Sequence, residues 1–74
     1  MSRLPILTSH KIIRMLKKKG FILDRTKGSH QIYYHRENKR KVVIPIHKKD
    51  LPRGTLLEIL RQADISKEEL RDLL

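Results

Sequence analysis

The tripeptide Gly28-Ser29-His30, preceded by Lys27, sets an imidazole beside a glycine, a hydroxyl and a cation. An isolated imidazole titrates near pH 6.5, so at neutral pH it can either take or give a proton. Cleaving RNA without a metal requires those two operations. One group removes the proton of the ribose 2′-hydroxyl during in-line attack on phosphorus, and another protonates the departing oxygen. Lysines close by would stabilise negative charge growing on the phosphate. Gly28 lets backbone approach a phosphate closely, while Lys27 and Ser29 add a charge and a donor at the same turn. The same four residues also make an ordinary hairpin turn followed by a surface histidine.

His47 precedes Lys48-Lys49 and follows a strand end. It has three readings: a phosphate contact, a second proton-transfer group, or a plain loop residue. Alternation along a strand at 30–35 puts His30 with Ile32 and Tyr34, and opposite Gln31, Tyr33 and His35. If Ile32 points into the core, His30 must lie at the rim, where the strand mouth meets solvent. His30 and His35 then cannot share a metal, and with no cysteine in the chain no metal site is expected. His35 reads as an exposed strand-end residue and His10 as a surface residue of a first helical turn. Tyr33 and Tyr34 could stack on bases. Since Phe21 is the only other aromatic, at least one of the two belongs to the core.

These residues sit in a strongly basic chain. The 74 residues carry 18 Lys and Arg against 8 Asp and Glu, a net charge of +10. The excess is uneven: residues 1–53 hold 15 basic and 3 acidic side chains, whereas residues 54–74 hold 3 and 5. Such a field suits a polyanion, either nucleic acid or an acidic protein surface. The runs Lys17-Lys18-Lys19 and Lys39-Arg40-Lys41 read as solvated faces that would also attract a phosphate chain and make its binding salt-dependent. A chain of this length is expected to form one domain over residues 1–74, burying only about 60% of its unfolded surface, so chemistry belongs on an open face. The absence of cysteine fits a reducing compartment. No membrane span is expected, and Met1–Leu7 is too short and proline-interrupted for a signal peptide, so the expected location is cytoplasmic.

The elements that must position the site follow from periodicity and punctuation. Thr8 or Ser9 caps a helix over 9–19, in which Ile12, Ile13 and Leu16 recur at helical spacing and which Gly20 ends. Residues 21–26, 30–35 and 41–45 read as three strands. Lys27-Gly28-Ser29 joins the first two as a hairpin, 36–40 forms a polar turn, and Pro45 closes the third strand or lies at an edge. Leu56, Leu57, Leu60 and Ala63 mark a second helix that starts between Asp50 and Thr55. Ser66 and Glu69 form a capping box, with Ile65 and Leu70 as its staple, for a short helix over 67–73. The expected class is α+β: an α-β-β-β-α order, a three-stranded antiparallel sheet with both helices on one face, and a short C-terminal helix.

Gly28-Ser29-His30 opening a central strand resembles the HicA family of toxins from type II toxin-antitoxin systems. Val43-Ile44-Pro45-Ile46-His47, the segment Gly54 to Leu60, and Lys11 to Gly20 leading into Phe21 are similar to that family in order and spacing. The resemblance implies a double-stranded-RNA-binding-domain-like fold and metal-independent cleavage of mRNA by a single histidine, falling on His30. It implies no cofactor, and neutralisation by a HicB-like antitoxin. Lys27, Gly28, Ser29, His47, Lys48 and Lys49 are then the residues expected to hold RNA. The alternative is a non-catalytic double-stranded-RNA-binding module, where charge and shape carry affinity and His30 is incidental.

Overall fold

Thr8, rather than Ser9, caps α1 (Ser9–Lys18); its hydroxyl accepts from the Lys11 amide at 3.4 Å. The computed structural model describes residues 4–74, so Met1–Arg3, and the part of the signal-peptide reading that falls on them, lie outside the described residues. Ile12, Ile13, Met15 and Leu16 form the buried stripe of α1, and Gly20 turns the chain with φ +98°. Three strands follow: β1 (Phe21–Lys27), β2 (His30–His35) and β3 (Lys41–Pro45). They pair antiparallel in the order β1-β2-β3, with β2 in the centre. Then come α2 (Arg53–Ala63) and α3 (Lys67–Leu73), giving an α+β fold, α-β-β-β-α-α, consistent with a double-stranded-RNA-binding-domain-like architecture.

The helices cover one face of the sheet. Phe21, Tyr33, Val42 and Ile44 point into that layer and are buried with Ile12, Met15, Leu16, Leu56, Ile59, Leu60 and Leu70. Leu57, expected in the apolar set of α2, is 37% exposed, and Ile59 takes its place. The reason is angular: Leu56, Ile59, Leu60 and Ala63 follow a tighter 3–4 spacing that leaves Leu57 on the flank. Ser66 and Glu69 complete the capping box, and Ile65 and Leu70 are buried on either side of it. Among the described residues no helix is long and apolar enough to cross a membrane.

The alternation of β2 is decided by Tyr33, which is buried and donates its hydroxyl to Gln31 Oε1 at 2.8 Å. Burial pushes its phenol pKa up. Ile32 therefore lies on the far side from the helices, where the sheet is open, and His30 and Tyr34 lie there with it.

Gly20 tests the packing of the first turn. Besides its positive φ, a Cβ there would stand 2.9 Å from His35 Nε2, whereas nothing lies within 4 Å of one built on Gly54. Gly20→Ala is expected to cost about 1–3 kcal/mol in urea unfolding, and Gly54→Ala less than about 0.5 kcal/mol.

Candidate functional site

His30 is the first residue of β2 and is exposed. Its cross-strand partners are Lys27 on β1 and Pro45 on β3. Directly paired residues project from the same face, with Cβ atoms roughly 4.5–5.5 Å apart, so His30 has a cation on one flank and a rigid proline on the other.

Lys27 shares that face because of one extra residue. The β1-β2 register runs Leu23↔Tyr33 and then Arg25↔Ile32, leaving Asp24 as a bulge. Strict alternation from the buried Phe21 would send residues 25 and 27 toward the helices. The bulge resets the parity, so Arg25 and Lys27 join Ile32 and His30 on the open side. Gly28 and Ser29 form the two-residue turn, with φ +59° at Gly28 only, where a type II′ turn needs glycine. A Cβ on Gly28 would meet nothing within 4 Å, so the turn is open to an approaching ligand.

The loop carrying His47, Lys48 and Lys49 is tied to this corner. The Ile46 amide donates to the Ser29 carbonyl at 2.7 Å, continuing the β2-β3 ladder one residue past Pro45. Among the described residues no fourth strand pairs with the outer edge of β3. Ser9, fully buried, donates its hydroxyl to the Pro45 carbonyl at 2.7 Å and accepts a long hydrogen bond from the His47 amide at 3.5 Å. One hydroxyl thus supplies the donor and the acceptor that a neighbouring strand would have offered. The Leu51 amide donates to the Leu7 carbonyl at 2.7 Å and Thr8 bridges Asp50, so the whole 45–51 loop is held against the lead-in to α1. His47, Lys48 and Lys49 remain exposed.

Ser9 was not expected in this role. It occupies the buried stripe of Ile12, Ile13 and Leu16, and a polar group on an apolar stripe is a sign that a buried partner must exist. His35 also differs from its reading as an exposed strand-end residue. It is half-buried, its ring packs edge-on against Phe21 at 5.1 Å, and its Nε2 lies 3.0 Å from the Lys19 carbonyl. Its Nδ1 accepts from the amides of Glu37 and Asn38, so the imidazole organises the β2-β3 turn. His10 is exposed in the first turn of α1, as expected. Tyr34 is half-buried on the open face, whereas Tyr33 and Phe21 are in the core.

The basic runs are partly structural. Lys18 donates to the Leu73 carbonyl at 3.0 Å and Lys19 pairs with Glu69 at 2.7 Å, which ties α1 to α3. Arg40 donates to the Gln62 carbonyl at 3.1 Å. Gln62 in turn takes the outward Val43 amide at 2.9 Å on its Oε1 and donates to Glu58, whose carboxyl is held down to about 2 by Arg61 and Gln62. Lys27, Lys48 and Lys49 have no such internal hydrogen bond or ion pair among the described residues.

Residues 9–65 match the family model for the HicA toxin of bacterial toxin-antitoxin. The match runs from the first residue of α1 to the staple residue Ile65 and contains Ser9, Lys27, Gly28, Ser29, His30, Pro45, His47, Lys48 and Lys49. No curated protein matches the chain.

Ser9→Ala removes the hydroxyl and strands the Pro45 carbonyl. The expected cost is about 1–3 kcal/mol, read as a lower urea midpoint with an unchanged slope. Amide chemical-shift changes should concentrate at Ile46 and His47.

Proposed function

Since the chain belongs to the HicA toxin family and is the toxin of a toxin-antitoxin system, we propose that it acts as an endoribonuclease on mRNA, with His30 as its catalytic proton-transfer residue. The observation that carries this reading is the placement of His30: exposed, at the mouth of the central strand, with Lys27 paired across from it on the same face. The histidine takes the proton of the ribose 2′-hydroxyl, and the oxygen attacks the adjacent phosphorus in line with the departing 5′-oxygen. Lys27 lies where the extra negative charge of the pentacoordinate phosphate develops. Lys48 and Lys49, with Ser29 and the open turn at Gly28, hold the flanking phosphates, and Tyr34 offers a ring to a base on the open face. In this reading the reaction calls on the chain's own groups and on no cofactor.

The partner that silences such a site must cover His30 and tolerate a net charge of +10. A HicB-like antitoxin with an acidic contact surface meets both conditions, since charge complementarity speeds capture and fixes the docking register.

Purified protein incubated with a labelled mRNA should cut it equally with and without EDTA. His30→Ala should lower the single-turnover rate by about 10²–10⁴-fold while leaving the circular dichroism spectrum and RNA affinity within about twofold of the parent. Parental cleavage by that variant would remove His30 from the mechanism. RNA binding with no product from the parent protein would make the chain a binding module.

A further inference from the structure

Transesterification of RNA needs two proton-transfer positions, and the site described so far supplies one. We propose that His47 is the second, protonating the 5′-oxygen as it leaves, and that Ser9 is the residue that positions it. The inference rests on the ribonuclease reading of His30 and extends it to the other side of the phosphate.

The geometry follows from the backbone beyond β3. His30 pairs with Pro45, and the Ile46 amide bonds inward to Ser29, so the extended conformation does not stop at the formal end of the strand. The Pro45 carbonyl and the His47 amide both turn outward to the same Ser9 hydroxyl, as residues i and i+2 of a strand turn their polar groups to one edge. Side chains two apart on an extended segment share a face. His47 therefore projects from the open side, as Pro45 and His30 do, while Ile46 packs against the core between them. His47 is then a diagonal cross-strand neighbour of His30, a relation that spans roughly 7–8 Å. That interval leaves room for one phosphate hydrogen-bonded on either side, with Lys27 flanking His30 on the opposite strand.

The step balances without any further reagent. The bond from the ribose 2′-oxygen to phosphorus forms and the bond from phosphorus to the 5′-oxygen breaks. The 2′-hydroxyl proton passes to His30, and a proton held by His47 passes to the 5′-oxygen. The products are a 2′,3′-cyclic phosphate and a 5′-hydroxyl end. Ser9 touches neither substrate nor reacting atom; it fixes the backbone that aims His47.

The test uses two synthetic oligoribonucleotides, one ordinary and one in which sulfur replaces the 5′-oxygen at a single cleavage position. A thiolate leaves without being protonated, so loss of the acid is bypassed while loss of the base is not. His47→Ala is expected to cut the ordinary strand about 10²-fold more slowly than the parent and the sulfur-containing strand within about threefold of it, with His30→Ala slow on both. Ser9→Ala, assayed well below its unfolding transition, should slow the ordinary strand in the parent background but have no further effect in the His47→Ala background. Parental rates of His47→Ala on the ordinary strand, or equal slowing on both strands, would overturn the role of His47. An undiminished Ser9→Ala effect in the absence of His47 would overturn the positioning role of Ser9. Failure of the His30 reading is separately visible, as full activity of His30→Ala on the ordinary strand.

Discussion

Tyr33 decides which side of the sheet is which. Its ring is buried under the helices and its hydroxyl is satisfied by Gln31, two residues earlier on the same side of the strand. Because strand side chains alternate with a period of two, this one burial sends His30, Ile32 and Tyr34 to the other side. A slip of one residue would bury the histidine and expose the tyrosine. The constraint is strong because a large aromatic gains most from the interior, about 1.5–3 kcal/mol for a fully buried side chain of this kind. The exposure of the imidazole is therefore a consequence of core packing.

The neighbouring strands are made to agree with that parity by different devices. β1 would disagree if it alternated regularly from Phe21, and the bulge at Asp24 restores agreement just before the hairpin. β3 agrees from the start, with Val42 and Ile44 buried, and its difficulty lies at its outer edge. An edge strand presents unpaired amides and carbonyls that invite another chain. Here Gln62 takes the Val43 amide, Pro45 has no amide to offer, and Ser9 engages the Pro45 carbonyl and the His47 amide. The contacts that close this edge also keep the chain extended past Pro45, so protection of the strand and orientation of the 45–47 segment arise from the same hydrogen bonds.

How legible this was depends on the range of the interaction. Helix ends, hairpin and capping box are written in adjacent residues, and the strands at 30–35 and 41–45 and the helix at 67–73 occupy the spans read from them. The α1 boundary moved by one residue because Lys19, although in a right-handed helical conformation, is the cap. The bulge at Asp24 had no local signal, since Phe21-Ile22-Leu23-Asp24-Arg25-Thr26 reads as a strand in either parity and only pairing with β2 chooses. The contact between Ser9 and Pro45 joins residues 36 apart in the chain. Two hydroxyls stood at the helix start where one cap was needed, and which became the cap and which the buried tie depended on a loop not yet placed. The same holds for His35, whose partners Phe21 and Lys19 are brought to it only by the β1-β2 pairing. The candidate site was legible in its residue types, and its three-dimensional closure was not.

The charges divide along the same line. Lys18, Lys19 and Arg40 are engaged with helix carbonyls or carboxylates, solvent-screened contacts that add little stability and mainly fix where α2 and α3 end. The core, and not the cations, holds the fold. Lys27, Lys48 and Lys49 have no such engagement among the described residues and stand at the corner where β1 turns and β3 leaves the sheet. Their field is therefore available to an external anion, and Lys27 stands directly across from the exposed His30. Under the proposed function, an RNA phosphate and an acidic antitoxin surface would compete for the same potential, which is screened beyond about 8 Å at physiological ionic strength. A partner that neutralises this field must come close to the corner to do so. Under the proposed function, a partner drawn to these lysines would lie over His30 as well, so that relief of charge and occlusion of the histidine would be one act of binding.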